Sequence, residues 1–233
     1  YEGYGISVRK VMEQREREKG IIGVVADLIK TKKQYETAIE TALGGSIQNI
    51  VTDREETAKK MIAFLKRERA GRATFLPLSG LAKAQEFRNT AALREPGVIG
   101  TADTLAEVEE KYRMVAKSLL GRVLVVDTID HAIAIARKYD YSIRMVTLEG
   151  ELFAPGGAIS GGAYKNSSSL LGRRREIAEL EEASGKLADQ VGQTQAQIET
   201  EKGQRNKLRI ELEGLKMQMQ YKSIEQNTAQ INA

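Results

Sequence analysis

Gly20-Ile21-Ile22-Gly23 returns 77 residues later as Gly97-Val98-Ile99-Gly100. At the same offset Leu28 meets Leu105, Tyr35 meets Tyr112, Leu43 meets Leu120 and Gly44 meets Gly121. In each copy two glycines flank a short apolar strand. A closing glycine then stands where a helix should stop, because glycine accepts the left-handed conformation just past a helix end. Each copy continues in the same order with a small slip. The first has a strand over Ile47–Val51, a helix from Thr52-Asp53 to about Arg69, and a strand Arg72-Ala73-Thr74-Phe75-Leu76. The second has a strand over Val123–Val126, a helix from Asp127-Thr128 through Ala132, Ile133 and Ala136, and a strand Arg144-Met145-Val146-Thr147-Leu148. Side-chain oxygens of Thr52, Asp53 and Asp127 are placed to accept from the free amides of a first helical turn. Chance likeness between two generic units is the competing explanation, and the shared order of elements argues against it.

Alternating β-branched runs, amphipathic stretches and glycine turns place the part before Tyr164 in the mixed α/β (α+β) class. The organisation read from the chain is an approach helix over 1–19, related subdomains over 20–95 and 96–164, and a joint with a helical arm over 165–233.

The second copy carries an addition that the first lacks, Phe153-Ala154-Pro155-Gly156-Gly157-Ala158-Ile159-Ser160-Gly161-Gly162. Glycine in a strand costs about 0.5–1 kcal/mol relative to alanine, so the four together cost about 2–4 kcal/mol. Against a domain stability of about 5–15 kcal/mol, such a cost calls for a compensating reason. A phosphate cradle needs GxxxxGK[ST], and although Gly156 and Gly161 have the spacing, Gly162 and Ala163 stand where Lys and Ser/Thr are required. Two readings remain open on residues alone: tight turns at Pro155-Gly156 and Gly161-Gly162, or close approach of another backbone. Changing all four glycines to alanine separates them. Backbone contact predicts a folded monomer, whereas turns held at positive φ predict a destabilised fold.

Composition narrows the function classes. The 233 residues contain no cysteine and one histidine, His131, which excludes disulfide frameworks, thiolate zinc sites and histidine clusters. His131 lies on the polar side of a helix whose apolar side is Ala132, Ile133 and Ala136, and reads as a surface residue. No apolar run approaches the roughly 18 residues of a membrane span, and no signal-peptide pattern opens the chain. Because it begins at Tyr1 rather than Met, the chain is expected to be an excerpt of a longer protein. The net charge of +4 permits weak phosphate contacts without announcing a nucleic-acid binder.

The last third has no proline and abundant Glu, Gln, Lys and Leu. Alternate steps of three and four from Ile177 visit Leu180, Ser184, Leu187, Val191, Thr194, Ile198, Glu201, Arg205, Leu208, Leu212, Leu215, Met219, Lys222 and Gln226. Most are apolar, and Gly185, Gly192, Gly203 and Gly214 fall off the seam. A sustained 3.5-residue period marks a coiled coil. At ~1.5 Å per residue the arm reaches roughly 75 Å. An exposed apolar seam requires a partner helix.

Taken together, Tyr1-Glu2-Gly3-Tyr4, Tyr35–Glu40 with Ala42-Leu43-Gly44-Gly45, Gln48–Val51, Gly71–Leu78, Val125-Val126-Asp127 and Pro155-Gly156-Gly157 through Gly161-Gly162 resemble the hinge of structural maintenance of chromosomes (SMC) proteins, of prokaryotic type. The resemblance covers essentially the whole globular part, in the family's order. It implies a hinge that pairs with a second hinge, most simply a second copy, into a ring-like dimer, with Gly156, Gly157, Gly161 and Gly162 at the contact. It also implies an upstream coiled-coil helix as the arm's partner and a cytoplasmic, chromosome-associated setting. No cofactor is expected in this chain, with ATP and Mg belonging to absent head domains. DNA is the further partner, expected through Lys30, Lys32, Lys33, Lys165, Arg173, Arg174 and Arg175, by salt-sensitive phosphate contacts without sequence readout. A solvated surface is the alternative for these residues. The rival from another class is a small nucleotide- or phosphosugar-using α/β enzyme fused to a coiled coil. The missing phosphate motif and the lack of a convergent acid–base set speak against it.

Overall fold

A computed structural model describes residues 4–81, 86–162 and 169–231. Lys165, Tyr164 and Tyr1-Glu2-Gly3 lie outside the described residues. Contacts divide the chain into two compact units, Tyr1–Glu176 and Ile177–Ala233.

The first unit opens with helix α1 (Ile6–Met12), strand β1 (Ile21–Val24), a single helical turn α2 (Val25–Leu28), strand β2 (Lys30–Thr31) and helix α3 (Glu36–Leu43). Strand β3 (Ile50–Thr52), helix α4 (Glu55–Arg67) and strand β4 (Phe75–Pro77) complete the first copy. The second copy runs through β5 (Val98–Thr101), β6 (Ala106–Glu107), α5 (Arg113–Leu120), β7 (Val123–Val126), α6 (Ile129–Lys138) and β8 (Arg144–Thr147), then adds β9 (Leu152–Phe153) and β10 (Ile159–Ser160). The repeat holds at the level of strand pairing. β3 lies between antiparallel β1 and parallel β4, as β7 lies between antiparallel β5 and parallel β8. Even the irregularity recurs, between Ile21 and Gly23 in one copy and between Val98 and Gly100 in the other.

The two copies share a core. Ala38, Ile39 and Leu43 of α3 pack in one buried cluster with Val115, Ala116 and Leu120 of α5, their counterparts at the 77-residue offset. Strand alternation sets the layers, since successive side chains of a strand point to opposite faces. Val123 and Val125 enter this shared cluster, while Leu124 and Val126 enter a second one under α6. In the first copy Val51 joins the shared cluster and Ile50 a third one beneath α1 and α4. Each such side chain, wholly removed from water, contributes about 1.5–3 kcal/mol. β2 and β6 pair antiparallel with each other, Lys30 opposite Glu107 and Thr31 opposite Ala106, and Thr31 Oγ1 donates to the Leu105 carbonyl at 2.8 Å. Antiparallel pairing of corresponding strands relates the copies by an approximate local two-fold. The connector from Glu86 to Glu95 packs on the second copy, with Ala92 and Phe87 in its outer cluster.

Several local expectations need correction. The strand predicted over Ile47–Val51 starts only at Ile50, because Gly44–Gln48 form a 3-10 turn, and the one predicted from Arg72 starts at Phe75. Gly44 has the left-handed φ of +50°, but Gly121 closes its helix at an ordinary −65°. The caps sit one residue later than predicted. Arg54 and Thr128 are the N-cap residues, and only Thr128 accepts through its side chain, from the His131 amide. Asp53 and Asp127 instead accept from the Arg54 and Thr128 amides at 2.8 and 2.6 Å, each also gripping a side chain four residues on.

Helix α7 runs from Leu170 to Ile231. Leu170 and Leu171 are buried in the shared cluster of the first unit. From Ile177 onward, in the second unit, the seam residues Ile177, Leu180, Leu187, Val191, Ile198, Leu208, Leu212, Leu215 and Met219 are all exposed. So are Ile210, Met217, Tyr221 and Ile224, which step by seven, four and three along a different line from the predicted seam and were missed by following a single period.

Candidate functional site

The glycine ribbon forms the outer edge of the five-stranded sheet, whose order is β10-β9-β8-β7-β5. β10 pairs with β9 on one side only, and every residue from Pro155 to Gly162 is exposed. Gly156, Gly157 and Gly162 have φ of +91°, +96° and +137°, a region L side chains rarely adopt. Turn chemistry is therefore real at Gly156-Gly157, where the Gly157 amide donates to the Ala154 carbonyl at 3.1 Å and the Ala154 amide to the Ala158 carbonyl at 2.8 Å. It does not account for everything. A Cβ at Gly156 or Gly162 would meet nothing within 4 Å among the described residues, so both backbones are open to approach from outside. Gly161 answers to its own chain: a Cβ there would lie 3.0 Å from Glu151 Cγ. That carboxylate is fixed beneath it by the Thr147 hydroxyl, while Thr147 Oγ1 accepts from the Glu151 amide at 3.0 Å.

A second open edge exists in the first sheet, whose order is β1-β3-β4. β4 corresponds to β8, and where β8 is covered by β9, β4 carries no strand on that side among the described residues. It ends on Pro77, a residue that strands accept at edges because it has no N–H to offer.

The root of α7 is fastened to the first copy. Glu40 accepts from the Ser169 hydroxyl at 2.6 Å and from the Leu170 amide at 3.0 Å, and Ser169 Oγ accepts from the Gly172 amide at 2.9 Å. A carboxylate from elsewhere in the chain and the Ser169 hydroxyl thus each satisfy one free amide at a helix start, where negative charge is favoured. Arg174 Nη1 donates to Asp27 Oδ1 at 2.9 Å, and Arg175 Nε donates to Glu36 Oε1 at 2.5 Å. Tyr4, from the opposite end of the globular part, donates to the same Asp27 oxygen at 3.2 Å.

These contacts change the meaning of the predicted basic group. Arg174 and Arg175 hold the root, and Arg173 is half-buried with a partner of its own. Lys30, Lys32 and Lys33 are exposed, with no ion pair among the described residues. Composition could not reveal this, because the acids that engage the arginines are some 140 positions away.

His131 is partly exposed, with Nδ1 2.7 Å from Asp127 Oδ1, and its hydrogen bond is the main cause that holds the Asp127 carboxyl below its usual range. It takes the place of Thr57, which donates to Asp53 at 2.6 Å in the first copy. The glycines that open each copy are required beneath these pairs: a Cβ on Gly20 would lie 2.3 Å from Thr57 Oγ1, and on Gly97 2.3 Å from His131 Nδ1. The histidine is thus part of a repeated structural clasp.

The residues present do not fit ATP and Mg. The ribbon has no lysine to reach a phosphate, and no group of three carboxylate or imidazole side chains is placed to hold a metal among the described residues. No helix among them is long and apolar enough to cross a membrane.

Residues 18–136 match the family model for the flexible hinge domain of SMC proteins. The chain is 42% identical over 201 residues to the chromosome partition protein Smc of Bacillus subtilis, covering 82% of this chain and 17% of that one. The Lactiplantibacillus plantarum protein of the same name is 39% identical over 202 residues, covering 86% and 16%. The chain therefore spans about a sixth of the length of these curated relatives. A crystal structure of an asymmetric dimer of the Geobacillus stearothermophilus SMC hinge domain superposes with a TM-score of 0.74 at 39% identity, covering 83% of this chain and 78% of that one. The Pyrococcus furiosus Smc hinge domain with an extended coiled coil gives 0.58 at 29% identity, covering 92% and 77%. With the hinge model matched over residues 18–136 and an SMC hinge superposing over 83% of it, the chain belongs to the SMC flexible hinge domain family.

Proposed function

We propose that this chain is the non-catalytic joining module of a chromosome partition protein and that it dimerises by sheet extension, β10 of one copy adding to β4 of the other. One observation carries this reading: the second copy of the repeat owns a surplus exposed strand, and the first has no strand at the corresponding edge among the described residues. An unpaired edge is a template for another strand, and adding one satisfies its free amides and carbonyls. Two copies related by a two-fold axis make the exchange twice and close into a ring. The Geobacillus hinge, described as an asymmetric dimer, supports the pairing of two hinges. Gly156 and Gly162 leave room for the incoming backbone, and Ile159, 50% exposed, is the apolar side chain such a contact would cover.

Because three ribbon glycines have positive φ, alanine there strains the fold itself, so Ile159→Asp is the cleaner test. The altered side chain is exposed, and the folded monomer should be preserved within about 0.5 kcal/mol. Light scattering should report half the parental mass. A variant that remains dimeric would overturn the β10 interface.

The exposed seam of α7 takes the coiled-coil helix that enters the hinge in the longer protein. ATP hydrolysis belongs to head domains of that protein, in a cytoplasmic, nucleoid-associated setting. DNA contact is a second component of the reading, supported by Lys30, Lys32 and Lys33 standing exposed together with no ion pair among the described residues.

A further inference from the structure

Asp140 and Tyr141 follow one another at φ of +50° and +53° in the turn between α6 and β8. Left-handed backbone is unfavourable for any residue with a Cβ, and a bulky side chain there is a true outlier. The repeat supplies an internal control. The turn between α4 and β4 makes the same connection: the Ala70 amide donates to the Leu65 carbonyl at 3.1 Å, as the Tyr141 amide donates to that of Ala136 at 2.8 Å. That turn also has two residues at positive φ, Arg69 at +51° and Gly71 at +86°, but its second is a glycine, for which the conformation carries no Cβ penalty. A glycine serves this connection in the first copy, so the tyrosine in the second carries a strain that joining helix to strand does not require.

What the strain achieves is placement. The Tyr141 carbonyl accepts from the Gly156 amide at 2.9 Å, tying the turn to the glycine ribbon. The ring lies beside Gly157, 3.7 Å from where a Cβ would stand, and is 42% exposed next to the open β10 edge. A backbone strain unneeded by the fold is characteristic of binding surfaces, and a rigid tyrosine is a favoured anchor in interfaces. We propose that Tyr141 is the aromatic anchor of the dimer, held in a strained turn so that its ring packs on the partner copy as the two strand edges meet. This rests on the reading of β10 as the dimer contact.

Asparagine tolerates the left-handed region, so Tyr141→Asn removes the ring while keeping the turn. In the parental chain it should weaken dimerisation by at least about 30-fold in sedimentation equilibrium, the loss typical of an interface hot spot. In an Ile159→Asp background, which isolates the monomer, Tyr141→Asn should melt at or above its background because strain is relieved. An unchanged dimer dissociation constant, or a lower melt in the monomer background, overturns the assignment to Tyr141 while leaving the edge reading intact. Persistence of the dimer in Ile159→Asp alone removes the edge reading itself, and with it this inference.

Discussion

Arg175 Nε meets Glu36 Oε1 at 2.5 Å, joining residues 139 positions apart, and the second copy of the repeat has Arg113 where Glu36 stands in the first. Glu40 likewise has Lys117 as its counterpart, which pairs with Glu86 at 3.2 Å. Two halves of nearly the same backbone thus offer opposite charge at equivalent helix faces. The arm root, with Arg174 and Arg175, is electrostatically matched to the first copy and mismatched to the second.

Reversal of that charge should release the root. Glu36→Lys is expected to lower the stability of the globular unit by about 1.5–3 kcal/mol, the scale of a charge-assisted hydrogen bond lost from a partly buried site. It should also speed hydrogen exchange at the amides of residues 170–176. Pairing it with Arg175→Glu should recover part of the loss in a double-mutant cycle. Unaltered exchange in Glu36→Lys would show that burial of Leu170 and Leu171 alone holds the root.

Acid should act on the connector that precedes the second copy. Lys138 Nζ donates to Glu95 Oε1 at 2.6 Å and the Tyr139 hydroxyl at 2.9 Å, and these bonds, Lys138 first, hold the Glu95 carboxyl below its ordinary value of 4.5. The unfolded chain binds this proton at higher pH than the folded one. The stabilisation is therefore fully present above the ordinary value and lost as pH falls through the lowered one. Glu95→Gln should melt below the parent at neutral pH, and the difference should shrink as pH is taken below about 4. A difference that does not change with pH would place the effect in packing.

DNA binding, if carried by phosphate contacts, should depend on the free lysines and not on the paired arginines. Lys30→Glu, Lys32→Glu and Lys33→Glu combined should weaken binding to unrelated duplexes alike. Each lost contact should lower the salt slope by about 1. The dimer mass should be unaffected. Equal affinity of the triple variant and the parent across salt concentrations would assign any binding to other residues.

The repeat was legible because periodicity and glycine placement are local. Gly20 and Gly97 mark equivalent strand starts, and β7 announces its burial in the unbroken run Val123-Leu124-Val125-Val126. The arm was legible for the same reason, since a 3.5-residue period needs nothing beyond the helix itself. Residue identity alone also established the missing chemistry, one histidine and no cysteine. Tertiary structure decided which charges are free. Arg174 and Arg175 look like a basic patch until folding brings Asp27 and Glu36 beside them. It also decided which glycines face open space, because a glycine's neighbours come from strands and turns remote in sequence. Gly156 and Gly162 face nothing among the described residues, while Gly161 meets Glu151. The physical reason is range: backbone preference and side-chain period act over a few residues, whereas ion pairing and room for a Cβ depend on chain segments that only the closed fold brings together.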